Sequence, residues 1–310
     1  VIAADAISAA HERIRPYVRR TPVVELRAGE LPGLTVDVVL KLELLQHTGS
    51  FKPRGAFNRV LTSTVPAAGL IAASGGNHGA ALAYVAATLA HPAEIFVPAT
   101  SPAMKAERIR SLGATVIVGG DRYDDAQAAA DERATATGAL AIHPYDHPDT
   151  VAGAGTCAKE LHEDAGPFDV VVSATGGGGL TAGTAAWFAG SPTQVVSVEP
   201  ATSRALHAAL AAGAPVEVVV EGVAIDSLGA KRIGDVPFAV CRDAGVQPVT
   251  VTDDAIVHAQ QMIWRHLRLV AEPGGATAVA ALLSGALSPA EGARVGVIAC
   301  GANCDPATVL

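Results

Sequence analysis

Lys52 stands in the run Gly49-Ser50-Phe51-Lys52-Pro53-Arg54-Gly55-Ala56-Phe57-Asn58, between a turn and the expected start of a helix, in an otherwise apolar region. A lysine so placed suits covalent capture of an aldehyde as a Schiff base. Desolvation disfavours its ammonium form and frees the amine to act as a nucleophile and later as a base. The same ten residues also fit a capped helix start with a solvated lysine, so other positions must decide.

The strongest of these is the turn Gly176-Gly177-Gly178-Gly179, which follows an apolar strand and opens a helix. Without Cβ atoms, successive backbone N–H groups can converge on an anion, and the helix N-terminus adds partial positive charge. Phosphate is the natural ligand, with a flexible loop as the bland alternative. No Gly-Lys-Ser/Thr follows, so this is not a Walker loop, and the dinucleotide pattern is also missing. Ser74-Gly75-Gly76-Asn77-His78-Gly79 repeats the strand–loop–helix plan. Its N–H groups suit a carboxylate, and the Asn77 amide can donate to a phenolate oxygen. A capped helix start fits this loop too, and His78 reads more readily as a packed histidine than as a base. Near the C-terminus, Cys300 falls at the carboxyl end of an apolar strand, where parallel sheets open their ligand crevices. A neutral thiol there can face a ring nitrogen, or can be a small buried hydrophobe.

The elements that must position these groups alternate short Val/Ile/Ala runs with longer Ala-rich helical stretches, the pattern of parallel sheets with helical crossovers. Strands are expected over 38–43, 69–74, 93–98, 114–118, 169–174, 194–198 and 294–299. Helices are expected over 51–60, 78–89, 101–112, 123–137, 155–163, 180–188, 203–212, 253–267 and 275–283. Only 216–249 resists a reading. The fold class is α/β, with two domains built on parallel-type twisted sheets flanked by helices. The larger covers 1–62 plus 146–310, and a smaller one, 63–145, is inserted in it.

Bulk properties narrow the function. Half of the 310 residues are apolar and 17% are charged, as in a globular enzyme with a large interior. A formal charge of -8 argues against nonspecific nucleic-acid binding. No apolar run has the length of a membrane span, and the N-terminus carries no signal-peptide pattern. Cys157, Cys241, Cys300 and Cys304 form no zinc pattern and are expected as reduced thiols in a cytoplasmic protein.

In order along the chain, from Arg20-Thr21-Pro22 to Asn303, these motifs resemble the fold-type II pyridoxal-phosphate enzymes, whose architecture is that of the tryptophan synthase β chain. Within them they resemble the serine/threonine dehydratase and serine racemase branch. The resemblance implies that Lys52 carries pyridoxal 5'-phosphate with Phe51 packed beside it, and that Asn77 contacts the pyridoxal 3-oxygen. It further implies that Gly176, Gly177, Gly178 and Gly179 cradle the phosphate, and that Cys300 faces the pyridine nitrogen. Ser74, Gly75, Gly76, Asn77 and His78 would bind the substrate carboxylate. A homodimer is implied as well.

Two departures from the family pattern sharpen the expectation. The racemase branch has a serine where this chain has Gly75, which offers no proton to the opposite face of a planar carbanion. The branch's divalent-metal segment survives as Glu199-Pro200, but Ala205 stands where its second carboxylate would be, so that site is expected to be absent or altered and no metal is assigned. Ser50-Phe51-Lys52-Pro53-Arg54 also differs from the Ser-x-Lys-Asp-Arg of cysteine synthases. The expected activity is dehydration and deamination of a small β-hydroxy amino acid, L-threonine or L-serine, to a 2-oxo acid and ammonia, with Lys52 as the base. The alternatives are another β-hydroxy substrate (3-hydroxyaspartate or phenylserine), racemisation, or a catalytically silent binding protein. An appended regulatory domain after Asn303 is not expected.

Overall fold

A computed structural model describes residues 2–101 and 103–309. Among the described residues ten strands form two sheets. The larger sheet takes β1 (Val23–Leu26), β2 (Val38–Lys41), β7 (Val170–Ala174), β8 (Gln194–Pro200), β9 (Gln247–Val251) and β10 (Val295–Ile298). The smaller takes β3 (Leu70–Ala73), β4 (Ala93–Val97), β5 (Thr115–Val118) and β6 (Leu140–Ala141). The strand orders are β1-β2-β10-β7-β8-β9 and β5-β4-β3-β6. Every pairing is parallel except that of β1 with β2.

Parallel strands covered on both faces read as unbroken apolar runs. All four residues of β2, β3 and β10 are buried accordingly. Sequence reading is weaker at the margins. The helix expected over 155–163 is longer, Pro148–Ala165, because Pro148 is a good first helical residue and the His147 imidazole accepts the Asp149 N–H. The unread stretch 216–249 holds two short helices, Ile225–Leu228 and Asp235–Asp243, and leads into the edge strand β9, which contains Pro248. Strands β1 and β6 were not expected; each is short and only partly buried.

The helix Lys52–Leu61 packs against the helices Asn77–Thr88 and Pro148–Ala165. Ala56, Phe57 and Val60 join the apolar cluster that backs the smaller sheet. On its other side it presses on the helix Pro148–Ala165, where only glycine fits: a Cβ on Gly153 would lie 2.4 Å from the Arg54 carbonyl oxygen. The first residue of this helix is Lys52, and the carboxyl ends of β3, β7 and β10 lead into the other three motifs.

Candidate active site

The segment before Lys52 is pinned to the end of β10. Ser50 bridges Gly301, and the Phe51 N–H donates to the Cys300 carbonyl at 3.1 Å. Pro53 occupies the first helical turn, where its missing N–H costs nothing. Arg54 anchors the helix from below. Its fully buried guanidinium donates to both oxygens of Glu43 (2.7 and 2.8 Å) and both oxygens of Glu160 (2.8 and 2.7 Å). Lys52 itself has only soft partners. Its Nζ donates to the Pro144 carbonyl at 3.1 Å and lies 5.0 Å from the centre of the Phe51 ring. Burial outweighs the attraction of Cys300 and Glu272 and brings its pKa down to about 8.

The glycine turn leaves β7 through Thr175, whose buried hydroxyl lies 2.7 Å from those of Thr181 and Ser197. Gly178 has φ 92°, the left-handed region, and caps the helix Gly179–Phe188. Among the described residues the N–H groups of Gly176 through Leu180 meet no acceptor. Side chains are excluded on the protein side of the turn: a Cβ on Gly177 would lie 2.2 Å from the Tyr145 ring, and one on Gly178 2.5 Å from Ile233. An anion held by backbone donors at a helix start fits this arrangement.

The Ser74–His78 loop is built alike. The Gly76 N–H is taken by Ser74 Oγ at 3.2 Å, while those of Gly75, Asn77, His78 and Gly79 meet no acceptor among the described residues. The Asn77 amide is clamped from both ends: Nδ2 donates to Glu272 Oε1 and Oδ1 accepts from Asn303 Nδ2, each at 2.6 Å. His78 Nε2 lies 2.8 Å from the Ile142 carbonyl oxygen and must carry the hydrogen. Burial, reinforced by Lys52, lowers its pKa to about 3, so it is neutral. Its side chain packs; its backbone N–H stays available.

Cys300 is buried, with Sγ donating to the Gly274 carbonyl at 3.4 Å, and burial raises its thiol to about 12. It is therefore a neutral group at the end of β10. Glu272, just before the helix Pro273–Leu283, is buried and pushed up to about 7 by desolvation, against the hydrogen bond from Asn77. Glu199 caps the helix Ala205–Ala212, accepting the Leu206 and His207 N–H groups at 2.8 Å each.

Sequence reasoning missed four contributors: the Pro144 carbonyl, the Tyr145 ring against the glycine turn, and Glu272 and Asn303 around Asn77. Glu272 offers a usable signal, since an acid directly before Pro-Gly-Gly and an apolar helix sits where chains close on a crevice. The Pro144 carbonyl offers none, because a backbone acceptor has no residue type.

A half-buried amine with a lowered pKa, a nest of N–H donors at a helix start and a neutral thiol fit an aldehyde-bearing phosphate ester. Comparison with known proteins agrees. The family model described as "Pyridoxal-phosphate dependent enzyme" matches residues 14–301. The chain is 36% identical to the phenylserine dehydratase of Ralstonia pickettii over 98% of its own length and 94% of that protein's. It is 38% identical to the biosynthetic L-threonine dehydratase of Mycobacterium leprae (strain TN), over 98% of its length and 73% of that protein's. The structure of maize serine racemase superposes with a TM-score of 0.92 at 32% identity, covering 99% of this chain and 96% of that one. The chain belongs to the pyridoxal-phosphate dependent enzymes.

Proposed function

We propose that the protein removes water from a small β-hydroxy amino acid, L-threonine or L-serine, and that hydrolysis of the resulting enamine then releases ammonia, leaving 2-oxobutyrate or pyruvate. The observation that carries this reading is Lys52, a lowered-pKa amine between one loop shaped for a phosphate and another shaped for a carboxylate. The N–H groups of Gly176 through Gly179 would hold the cofactor phosphate, Asn77 its 3-oxygen, and Cys300 would face its ring nitrogen beside Phe51. Pyridoxal phosphate bound there supplies an aldehyde for the substrate amine and a conjugated ring that absorbs the charge left by the α-proton.

The chain's own groups do the rest. The free N–H groups of the Ser74–His78 loop hold the substrate carboxylate and fix which substrate bond faces Lys52. Lys52, whose enclosure lowers its pKa to about 8 and so raises the share of free amine, takes the α-proton. Neutral Cys300 would place no full charge at the ring nitrogen, which favours prompt loss of the β-hydroxyl, as water with the proton taken from Cα, over long retention of charge on the ring. Gly75 has no hydroxyl for the opposite face, and the space for a side chain there is occupied: a Cβ would lie 2.8 Å from Ser101 Oγ. Elimination is favoured over racemisation for this reason.

The cleft beside Asn77 also bears on substrate choice. It is lined by Lys105 and Arg108, but Lys105 pairs with Asp226 at 2.7 Å and Arg108 is engaged by Asn303 and Thr48. Neither cation is free for a second carboxylate, which favours a neutral side chain over 3-hydroxyaspartate. Incubation with L-threonine, L-serine, phenylserine and 3-hydroxyaspartate, with assay of 2-oxo acid and of D-enantiomer, tests this. The expected result is 2-oxo acid from threonine or serine and little enantiomer. Turnover restricted to 3-hydroxyaspartate, or racemisation exceeding elimination, would overturn it.

A further inference from the structure

The Asn77 amide does not stand alone. Glu272 Oε1 accepts from its Nδ2, and Asn303 Nδ2 donates to its Oδ1. Asn303 is itself held: its Oδ1 accepts from Arg108 Nη1 at 2.5 Å, and its Nδ2 also donates to the Thr48 carbonyl at 2.8 Å. Arg108 reaches the same carbonyl through Nη2 at 2.9 Å. The chain Arg108–Asn303–Asn77–Glu272 therefore links elements around the two sheets. Arg108 and Asn77 belong to the helices Ala103–Ser111 and Asn77–Thr88 around the smaller sheet. Asn303 and Glu272 follow or precede elements of the larger one.

Two glycines make room for this chain. A Cβ on Gly301 would lie 1.9 Å from Glu272 Oε1, and one on Gly49 2.6 Å from Asn303 Oδ1. Gly49 has φ +73°, so a side chain there would be strained as well. Both belong to the strands of backbone that place Lys52 and Cys300. An amide has two Nδ2 hydrogens and one oxygen. With the oxygen engaged by Asn303 and one hydrogen by Glu272, a single N–H remains to be aimed.

We propose that Glu272 and Asn303 are positioning residues that lock the Asn77 side chain, leaving one N–H directed at the 3-oxygen of the bound cofactor. The inference rests on the reading of Asn77 as the cofactor's 3-oxygen partner. The lock draws on elements around both sheets, so the grip on the cofactor depends on how those elements meet. Desolvation that raises the Glu272 carboxyl to about 7 suits this place, since a full negative charge beside a phenolate oxygen would repel it.

The test is a pair of double-mutant cycles read by cofactor binding rather than turnover. Cofactor-free wild type, Asn77→Ala, Glu272→Ala, Glu272→Gln, Asn303→Ala and the doubles N77A/E272A and N77A/N303A are titrated with pyridoxal phosphate. Tryptophan emission and the visible absorption band report binding, and Tm of the cofactor-free proteins reports folding. Each single alanine variant is expected to weaken binding roughly tenfold, the scale of one lost buried hydrogen bond. Each double should match Asn77→Ala to within about twofold, because both partners act through that amide. Glu272→Gln keeps an acceptor for Asn77 and should restore most of the affinity. Losses that multiply in the doubles, or a glutamine variant as weak as alanine, would overturn the positioning role while leaving the Asn77 reading intact. An Asn77→Ala protein with unchanged affinity and absorption would remove that reading and this inference together. Should Glu272→Ala fail to fold, the Asn303 cycle carries the same decision.

Discussion

Lys41 and Lys52 are both enclosed, lie in successive parts of the chain, and have opposite lives. Lys41 ends β2 with its side chain fully buried. Its Nζ lies 2.9 Å from Glu160 Oε2 and 3.2 Å from Asp164 Oδ2, and donates to the Thr21 carbonyl at 2.6 Å. Lys52 has one carbonyl and an aromatic face, and the acids nearest to it, Glu272 and Cys300, are themselves raised by burial. Enclosure alone therefore does not make a nucleophile. A carboxylate partner keeps an enclosed ammonium charged, while dipoles and neutral acids leave desolvation in command. The Lys41 cluster also serves Lys52 indirectly, since Glu160 pairs with Arg54, two residues along the same helix.

The comparison breaks most sharply by truncating each lysine. Lys52→Ala should abolish turnover, by at least roughly 10⁴-fold, because it removes both the cofactor link and the base. The visible absorption of the holoenzyme should go with it. Stability of the cofactor-free variant should not fall at neutral pH, because no ion pair is broken and an enclosed ammonium is removed. A coloured, active Lys52→Ala protein would end the catalytic reading. Lys41→Ala should do the reverse. Glu160 keeps Arg54, but the acids facing Lys41 lose a buried cation, at a cost of about 3–5 kcal/mol. Urea denaturation would show this, with the folded fraction retaining activity. A Lys41→Ala enzyme of wild-type stability would show that its ion pairs are not what holds this corner together.

That contrast also marks what the sequence can and cannot say. Lys52 was legible because its neighbours form a local pattern: a glycine turn before it and a proline just after. The glycine run at 176–179 was legible for the same reason, as was the Ser74–His78 loop. Lys41 was not, since it sits in an apolar strand like any snorkelling lysine and its partners Glu160 and Asp164 are supplied by a distant helix. Glu272 and Asn303 escaped notice likewise: they come within 2.6 Å of Asn77 only once the two sheets are assembled. The sheets themselves were visible where both faces are buried, as in β3 and β10. They faded at β1, β6 and β9, whose partial exposure breaks the apolar run. Local chemistry is written locally; electrostatic company is a property of the fold.

A third, smaller effect separates the two environments by pH. In the cofactor-free protein Lys52 has a pKa of about 8 against an ordinary 10.5. Between those values the unfolded chain holds a proton that the folded one has released, so the stability contribution of Lys52 rises with pH across that window. The Lys41 cluster is governed at the other end. Glu160 is held well below the carboxylate's ordinary 4.5 by His11, Arg54 and Lys41, despite its burial. Its contribution is complete above 4.5 and is lost as pH falls through its folded value. Cofactor-free wild type and Lys52→Met should therefore diverge in urea midpoint from pH 8 to 10.5, with wild type gaining. They should run parallel below pH 7, and both should weaken together in acid. Labelling of Lys52 by an amine-directed reagent should rise through about pH 8 over the same range. A constant gap between the two midpoints, with labelling rising only near 10.5, would mean that Lys52 keeps its proton as an ordinary lysine does, and the distinction between the two lysines would fall.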